Sequence, residues 1–205
     1  RGAGFLLLRE IEFLSKLLGN VKKPYVVVVG GAKVSDKIGV LDNLAKVASS
    51  ILIGGAMANT FLKAKGYDVG KSKVEDDKLG VAKAFLKNAE ASKVEVLLPS
   101  DVVVAPGPEA AAGRAMPIEG IPSSEMALDI GPATAQVFCD RIAAAQTVFW
   151  NGPLGLFEKA PFAAGTMAIA HALASCRGTT VVGGGDSVAA LSESGMTDKV
   201  SHVST

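Results

Sequence analysis

Four times along this chain an apolar, largely β-branched run ends in clustered glycines and passes into a helical pattern. Tyr25-Val26-Val27-Val28-Val29 stops at Gly30-Gly31, and Ser50-Ile51-Leu52-Ile53 stops at Gly54-Gly55. Thr147-Val148-Phe149-Trp150 runs into Asn151-Gly152-Pro153, and Thr179-Thr180-Val181-Val182 into Gly183-Gly184-Gly185-Asp186. A strand that is apolar on both faces needs cover on both faces, which a parallel sheet flanked by helices supplies. Strands alternating with helices ask for the same architecture. The expected fold is α/β: a three-layer, doubly wound parallel sheet of Rossmann-like type, forming a single domain over 1–205. All strands of such a sheet point one way, so the glycine turns gather at the carboxyl edge, where ligands bind.

The remaining pattern fills in that frame. Ile38, Leu41, Leu44, Ala45 and Ala48 share one helical face after the first turn. Further helices are expected near 57–65, 76–91, 132–145, 160–174 and 187–193, and two more strands at 94–98 and 101–104. The Pro-, Gly- and Ala-rich stretch 105–124 reads as a loop or hairpin excursion. Ile11, Leu14, Leu17 and Leu18 predict an amphipathic helix closing at Gly19-Asn20. Arg9 and Glu10 follow the apolar Phe5–Leu8 at once, so neither a signal peptide nor a membrane anchor is expected.

Composition excludes several functions. Of 205 residues 49% are hydrophobic and 20% charged, enough apolar material for a sizeable core. Lys+Arg (21) and Asp+Glu (20) nearly cancel, and aromatics make up 5%, so neither a basic footprint nor stacking platforms suggest a nucleic acid. Cys139 and Cys176 match no metal or redox spacing and read as buried, reduced thiols of a cytosolic protein. Two histidines, His171 and His202, leave little for a zinc site or a histidine-based triad. The chain begins at Arg1, which suggests a piece of a longer protein.

The glycine turns carry the chemistry. Glycine admits close backbone approach, and a helix opening just after it directs free N–H groups at an anion. Lys33 and Lys37 stand four apart and would share a face if both lay on the opening helical turn, ready to bracket an anion. Asp186 serves either as a helix cap or as a ligand for Mg²⁺, a cation that takes one or two carboxylates beside substrate phosphates. Glu158 could accept from ribose hydroxyls. Gly66-Tyr67-Asp68-Val69-Gly70-Lys71-Ser72 is one residue short of a Walker A loop and follows a helix, so it reads as a decoy. Gly183–Val188 fails the dinucleotide fingerprint at its last position. Gly185-Asp186-Ser187-Val188-Ala189 is like a hydrolase elbow, but Asp198 and His202 follow too closely to complete a triad. A stand-alone nucleotide-binding regulatory module would use the same turns.

A set of ordered motifs is more specific. Gly30-Gly31-Ala32-Lys33-Val34-Ser35-Asp36-Lys37-Ile38 and Gly54-Gly55-Ala56-Met57-Ala58-Asn59-Thr60-Phe61-Leu62 are followed by Gly120-Ile121-Pro122 and Leu128-Asp129-Ile130-Gly131-Pro132. Trp150 to Glu158, Gly183 to Ser187 and Asp198 to Thr205 complete the series. In this order and over nearly the whole chain, the sequence resembles the carboxyl-terminal, nucleotide-binding domain of the phosphoglycerate kinases. The resemblance implies phosphoryl transfer between 1,3-bisphosphoglycerate and ADP in glycolysis, with ATP/ADP as substrate, Mg²⁺ as cofactor, and a cytoplasmic monomer. It implies that Lys33 and Lys37 hold phosphates, Lys33 nearer the transferred group, and that Gly184 and Gly185 act at the reacting end. Asn151 would contact phosphates, Asp186 would bind Mg²⁺, and the amides around Gly184, Gly185 and Ser187 would hold the metal–phosphate end. Glu158 would bind ribose, Gly30, Gly31, Gly55, Leu128, Pro153 and Leu156 would enclose the adenine, and Ala32 and Ala127 would also contact the nucleotide. Ala56 stands where many members have a third glycine, Ala127 where some have glycine at the adenine pocket, and Ser187 where threonine is common. The family's amino-terminal domain, which binds 3-phosphoglycerate, and its last glycine-rich segment have no counterpart in 1–205, so the chain is expected to bind nucleotide but turn over little.

Overall fold

Alternate residues of Tyr25–Val29 (β1) feed two different cores. Tyr25, Val27 and Val29 enter one cluster, and Val26 and Val28 the other. Successive side chains of a strand point to opposite faces, so this split is what a sheet buried on both sides requires. The computed structural model describes Leu8, Arg9, Ile11, Glu12, Ser15 and residues 20–204. Of the expected first helix, Leu8, Arg9, Ile11, Glu12 and Ser15 are helical, and Ile11 packs against the β1 cluster. Leu14, Leu17, Leu18 and Gly19 lie outside the described residues, as does Thr205.

The strands are β1, Ser50–Ile53 (β2), Glu95–Leu97 (β3), Asp101–Ala105 (β4), Arg114–Pro117 (β5), Met126–Ile130 (β6), Thr147–Asn151 (β7), Thr179–Gly183 (β8) and His202–Val203 (β9). The helices are Ile38–Leu44 (α1), Ala56–Ala64 (α2), Leu79–Ala91 (α3), Pro132–Ala143 (α4), Ala164–Ser175 (α5) and Gly185–Glu193 (α6). Six strands form one parallel sheet in the order β3-β2-β1-β7-β8-β9. On one face α1, α2 and α3 bring Leu41, Leu44, Phe61 and Phe85 onto the sheet. On the other, α4, α5 and α6 bring Phe138, Ile142, Ile169, Leu173 and Leu191. The three-layer expectation holds. Among the described residues no helix is long and apolar enough to cross a membrane.

Three expectations are corrected. The strand at 101–104 does not join the parallel sheet. It is the centre of a separate antiparallel sheet, β5-β4-β6, packed through Val102, Val104, Leu62, Val69, Ile118 and Ile121. Part of the 105–124 excursion returns as β5, and Met126–Ile130 pairs along β4's other edge. The helix expected from 160 begins as a 3-10 turn, Ala160–Phe162, because Pro161 sits in it, and the α-helix starts at Ala164. The thiols of Cys139 and Cys176 are free but half-buried rather than fully buried.

The small sheet is tied to the large one by a cap. Asp101 of β4 accepts hydrogen bonds from the N–H groups of Thr134 (2.8 Å) and Ala133 (3.0 Å) in the first turn of α4. The Thr134 hydroxyl donates to the same carboxylate at 2.6 Å. A carboxylate at a helix N-terminus is favoured by the unpaired amides and the helix dipole. Here it comes from another strand, which fixes the angle at which β6 leads into α4.

A cleft at the carboxyl edge of the parallel sheet

The strand register brings the four glycine turns together. Val29 pairs with Ile53 on one side and Asn151 on the other, and Asn151 pairs with Gly183. β2, β1, β7 and β8 therefore end side by side. Backbone bonds lace the turns that follow: Gly31 N–H to Pro153 O (3.0 Å), Gly55 N–H to Leu154 O (3.0 Å), and Met57 N–H to Gly31 O (2.9 Å). One glycine in each turn has positive φ, namely Gly31 (110°), Gly55 (71°), Gly152 (98°) and Gly184 (89°). Gly30 is required for closeness instead. A Cβ there would lie 2.1 Å from the Pro153 carbonyl oxygen and 2.7 Å from that of Gly152.

Above these turns lies a cleft of about 530 Å³. Of the residues expected at the site, it is lined by Gly31, Ala32, Gly55, Ala127, Leu128, Pro153, Leu156, Glu158 and Asp186. The antiparallel sheet makes one wall, through Val102 and Met126 to Ile130. Gly30, Lys33, Lys37, Asn151, Gly184, Gly185 and Ser187 do not line it. The Lys37 ammonium donates to the Gly30 carbonyl oxygen and to Asn151 Oδ1 at 3.0 Å. A Cβ on Gly184 would meet Asn151 Nδ2 at 3.0 Å, so the Asn151 side chain packs closely against the fourth turn. Ser187 is fully buried and its Oγ accepts the Gly152 N–H at 2.5 Å.

The paired-lysine geometry is corrected. Lys33 is extended and exposed before a 3-10 turn, Val34–Asp36, and Lys37 follows that turn just before α1 begins. They share no helical face, because the chain takes 3-10 geometry at Val34 before α1 is established. That turn is anchored by Glu75, which accepts from the Ser35 hydroxyl (2.6 Å) and N–H (3.1 Å). Against the upward push of burial, those bonds hold the Glu75 carboxyl below its ordinary value.

The capping reading of Asp186 is also corrected. Gly184 occupies the N-cap with no side-chain bond, and Asp186 sits within the first turn of α6. Asp186 is exposed and lines the cleft. Among the described residues no group of three or more His, Cys, Asp or Glu side chains gathers as a metal site. One exposed carboxylate at a helix N-terminus nevertheless fits Mg²⁺, which takes much of its coordination from phosphates and water.

Sequence reasoning missed Asp129, Asn59, Lys71 and Lys73, all of which line the cleft. Asp129 is 5% exposed, and its carboxylate accepts the N–H groups of Ile130 (2.9 Å) and Gly165 (2.9 Å). Burial pushes its pKa up to about 7 against the pull of those two bonds. The sequence signal for Asp129 was its place directly after Ala127 and Leu128, both expected at the site. Lys71 lay in the decoy loop, which indeed opens no helix yet brings the lysine to the cleft.

The family profile described as Phosphoglycerate kinase matches residues 1–205. A phosphoglycerate kinase of Anaeromyxobacter dehalogenans is 53% identical over 206 aligned residues, covering 100% of this chain and 52% of the relative. That of Thermus thermophilus is 54% identical, covering 99% of this chain and 53% of the relative. The structure of phosphoglycerate kinase from Coxiella burnetii superposes with a TM-score of 0.92 at 44% identity, over 98% of this chain and 52% of that one. The chain spans about half the length of the curated relatives it matches. Profile, sequence identity and superposition agree over 98% or more of its length: the chain belongs to the phosphoglycerate kinase family.

Proposed function

We propose that this chain is the nucleotide-binding half of a kinase that moves a phosphoryl group between 1,3-bisphosphoglycerate and ADP. The observation that carries the reading is the single cleft uniting Gly31, Gly55, Leu128, Leu156, Glu158 and Asp186 at the carboxyl edge of four adjacent strands. On this reading the base lies among Gly31, Gly55, Leu128 and Leu156, and Glu158 accepts from the ribose. The phosphates run toward α6, whose first-turn N–H groups have no helical partners. A Mg²⁺ bound at Asp186 would neutralise charge on those phosphates. Lys33, exposed and in no salt bridge among the described residues though its charge acts on Glu75, reaches for the transferred group. Lys37 is held against the oxygens of Gly30 and Asn151, so it supports the first turn and meets a phosphate only by giving up one of those bonds.

Phosphoryl transfer asks for positioning and charge neutralisation more than for covalent chemistry, and lysines, a metal and helix amides supply both. 3-Phosphoglycerate would be held by the further half of a full-length protein, and closure of the two halves would exclude water. The chain alone is thus a binder with little turnover, acting in the cytoplasm as a monomer. Calorimetry with ADP in the presence and absence of Mg²⁺ tests the reading. Asp186→Ala should abolish the gain in affinity that Mg²⁺ confers and leave the circular dichroism spectrum unchanged. No heat at millimolar Mg-ADP, or an undiminished Mg²⁺ effect in the variant, would overturn it.

A further inference from the structure

Lys33 sits between two fixed points of the chain. Before it, Gly31 is laced on both sides: its N–H donates to Pro153 O (3.0 Å) and its carbonyl accepts from Met57 N–H (2.9 Å). After it, Ser35 is held by the Glu75 carboxylate, which accepts the Ser35 hydroxyl at 2.6 Å and the Ser35 N–H at 3.1 Å. Glu75 is docked in turn. Its N–H donates to Oγ1 of the fully buried Thr60 in α2 (3.1 Å), and Asn59 Nδ2 of the same helix donates to Lys73 O (3.3 Å). Between the fixed points Lys33 is extended and exposed while Val34 is fully buried, so the two side chains leave the backbone on opposite sides.

The charge of Glu75 argues that this anchor is there for geometry. The charge of Lys33 acts on Glu75. A carboxylate in that place competes with any anion the lysine is to meet, so on charge alone it would weaken phosphate binding. What it supplies is order: with the backbone fixed at Gly31 and Ser35, the ammonium moves by its own side-chain torsions and not by drift of the turn. A small misplacement of a group that meets the reacting atoms costs rate steeply. This inference rests on the proposed function, in which Lys33 meets the transferred phosphoryl group. We propose that Glu75 is a positioning residue for phosphoryl transfer, acting through Ser35 to hold Lys33 at the group in transit.

The test is steady-state kinetics of the full-length protein with Mg-ATP and 3-phosphoglycerate, on Glu75→Ala, Glu75→Gln and Lys33→Met, with calorimetry of Mg-ADP on each. Glu75→Ala should lower kcat by roughly tenfold to a hundredfold. The KM for Mg-ATP should not rise, and Mg-ADP affinity should not fall, because ADP lacks the group that Lys33 meets and a competing charge has gone. Glu75→Gln removes the charge but keeps the anchor: its carbonyl oxygen accepts the Ser35 N–H and its NH₂ donates to the Ser35 hydroxyl. It should therefore recover most of the lost rate. If circular dichroism shows that Glu75→Ala does not fold, Ser35→Ala at an exposed position takes its place and should lower kcat in the same sense. An unchanged kcat in the anchor variant while Lys33→Met loses activity, or a Glu75→Gln variant as slow as Glu75→Ala, overturns the inference and leaves the nucleotide reading standing. An unchanged kcat in Lys33→Met, or no heat with Mg-ADP in the unaltered protein, shows instead that the proposed function has failed, and this inference fails with it.

Discussion

Asp129 makes the stability of this fold depend on pH in the direction opposite to a salt-bridged carboxylate. Its side chain is 5% exposed, and a Cβ on Gly155 or Gly165 would come within 2.4 Å of Oδ1, so both glycines make room for it. Burial raises its pKa from 3.8 to about 7. Between those values the folded state binds a proton that the unfolded state has already released. Stability therefore falls as pH rises through that window. The contribution is full below about pH 4 and lost by about pH 7. Some three pH units at roughly 1.4 kcal/mol each give a loss on the order of 4 kcal/mol. Asp129→Asn removes the titration but retains the shape. Its amide carries one acceptor oxygen, so of the two N–H donors from Ile130 and Gly165 one would face an NH₂ group. At pH 4 the protonated parent carboxyl still accepts the second N–H on its hydroxyl oxygen, which the NH₂ group cannot do, so the variant is the less stable by about 1–3 kcal/mol for a buried unsatisfied donor. Urea denaturation of both proteins from pH 4 to pH 8 measures the difference. The parent's advantage should shrink with rising pH and vanish or reverse near pH 8. An advantage that stays constant, or grows with pH, would refute the argument from burial.

Two further predictions concern packing. Gly30→Ala drives a Cβ into backbone oxygens of Gly152 and Pro153 that cannot yield, whereas Gly54→Ala meets the movable Leu154 Cδ1 at 2.1 Å. Gly54→Ala should cost about 1–3 kcal/mol and Gly30→Ala more than that range; equal costs in denaturant titrations would show that the turns are not rigidly laced. Phe61 is fully buried and meets Phe85 edge to face, with ring centroids 5.8 Å apart. Phe61→Ala should lose about 3–5 kcal/mol in the same assay, and a loss below about 1 kcal/mol would place the core between α2 and α3 elsewhere.

Local pattern carried the parallel sheet because each of its central strands announces itself. A run such as Val26 to Val29 is apolar at every position, and only a strand covered on both faces disposes of both sets of side chains. The glycine turns were legible for a related reason: each sits where such a run stops. Of the antiparallel sheet, β4 and the hairpin excursion that returns as β5 were legible, but not the third strand or the separation of these strands from the parallel sheet. β5 is largely exposed and β6 alternates weakly, so neither shows the periodicity by which a strand is recognised.

The candidate site divides along the same line. Sequence alone determined the kinds of group available at the carboxyl edge: close-approach glycines, the acid Asp186 after the last strand, and lysines after the first. Tertiary structure decided their duties. It turned Lys37 onto Asn151, freed Asp186 from capping by giving that place to Gly184, and buried Ser187 beneath Gly152. It also brought Lys71 and Lys73 to a cleft with which no sequence neighbour connects them, and buried Asp129 beside Leu128 in its wall. Their distance in sequence is closed by register and by hydrogen bonds between elements. A local pattern records which side chains a segment presents, and only packing determines what those side chains meet.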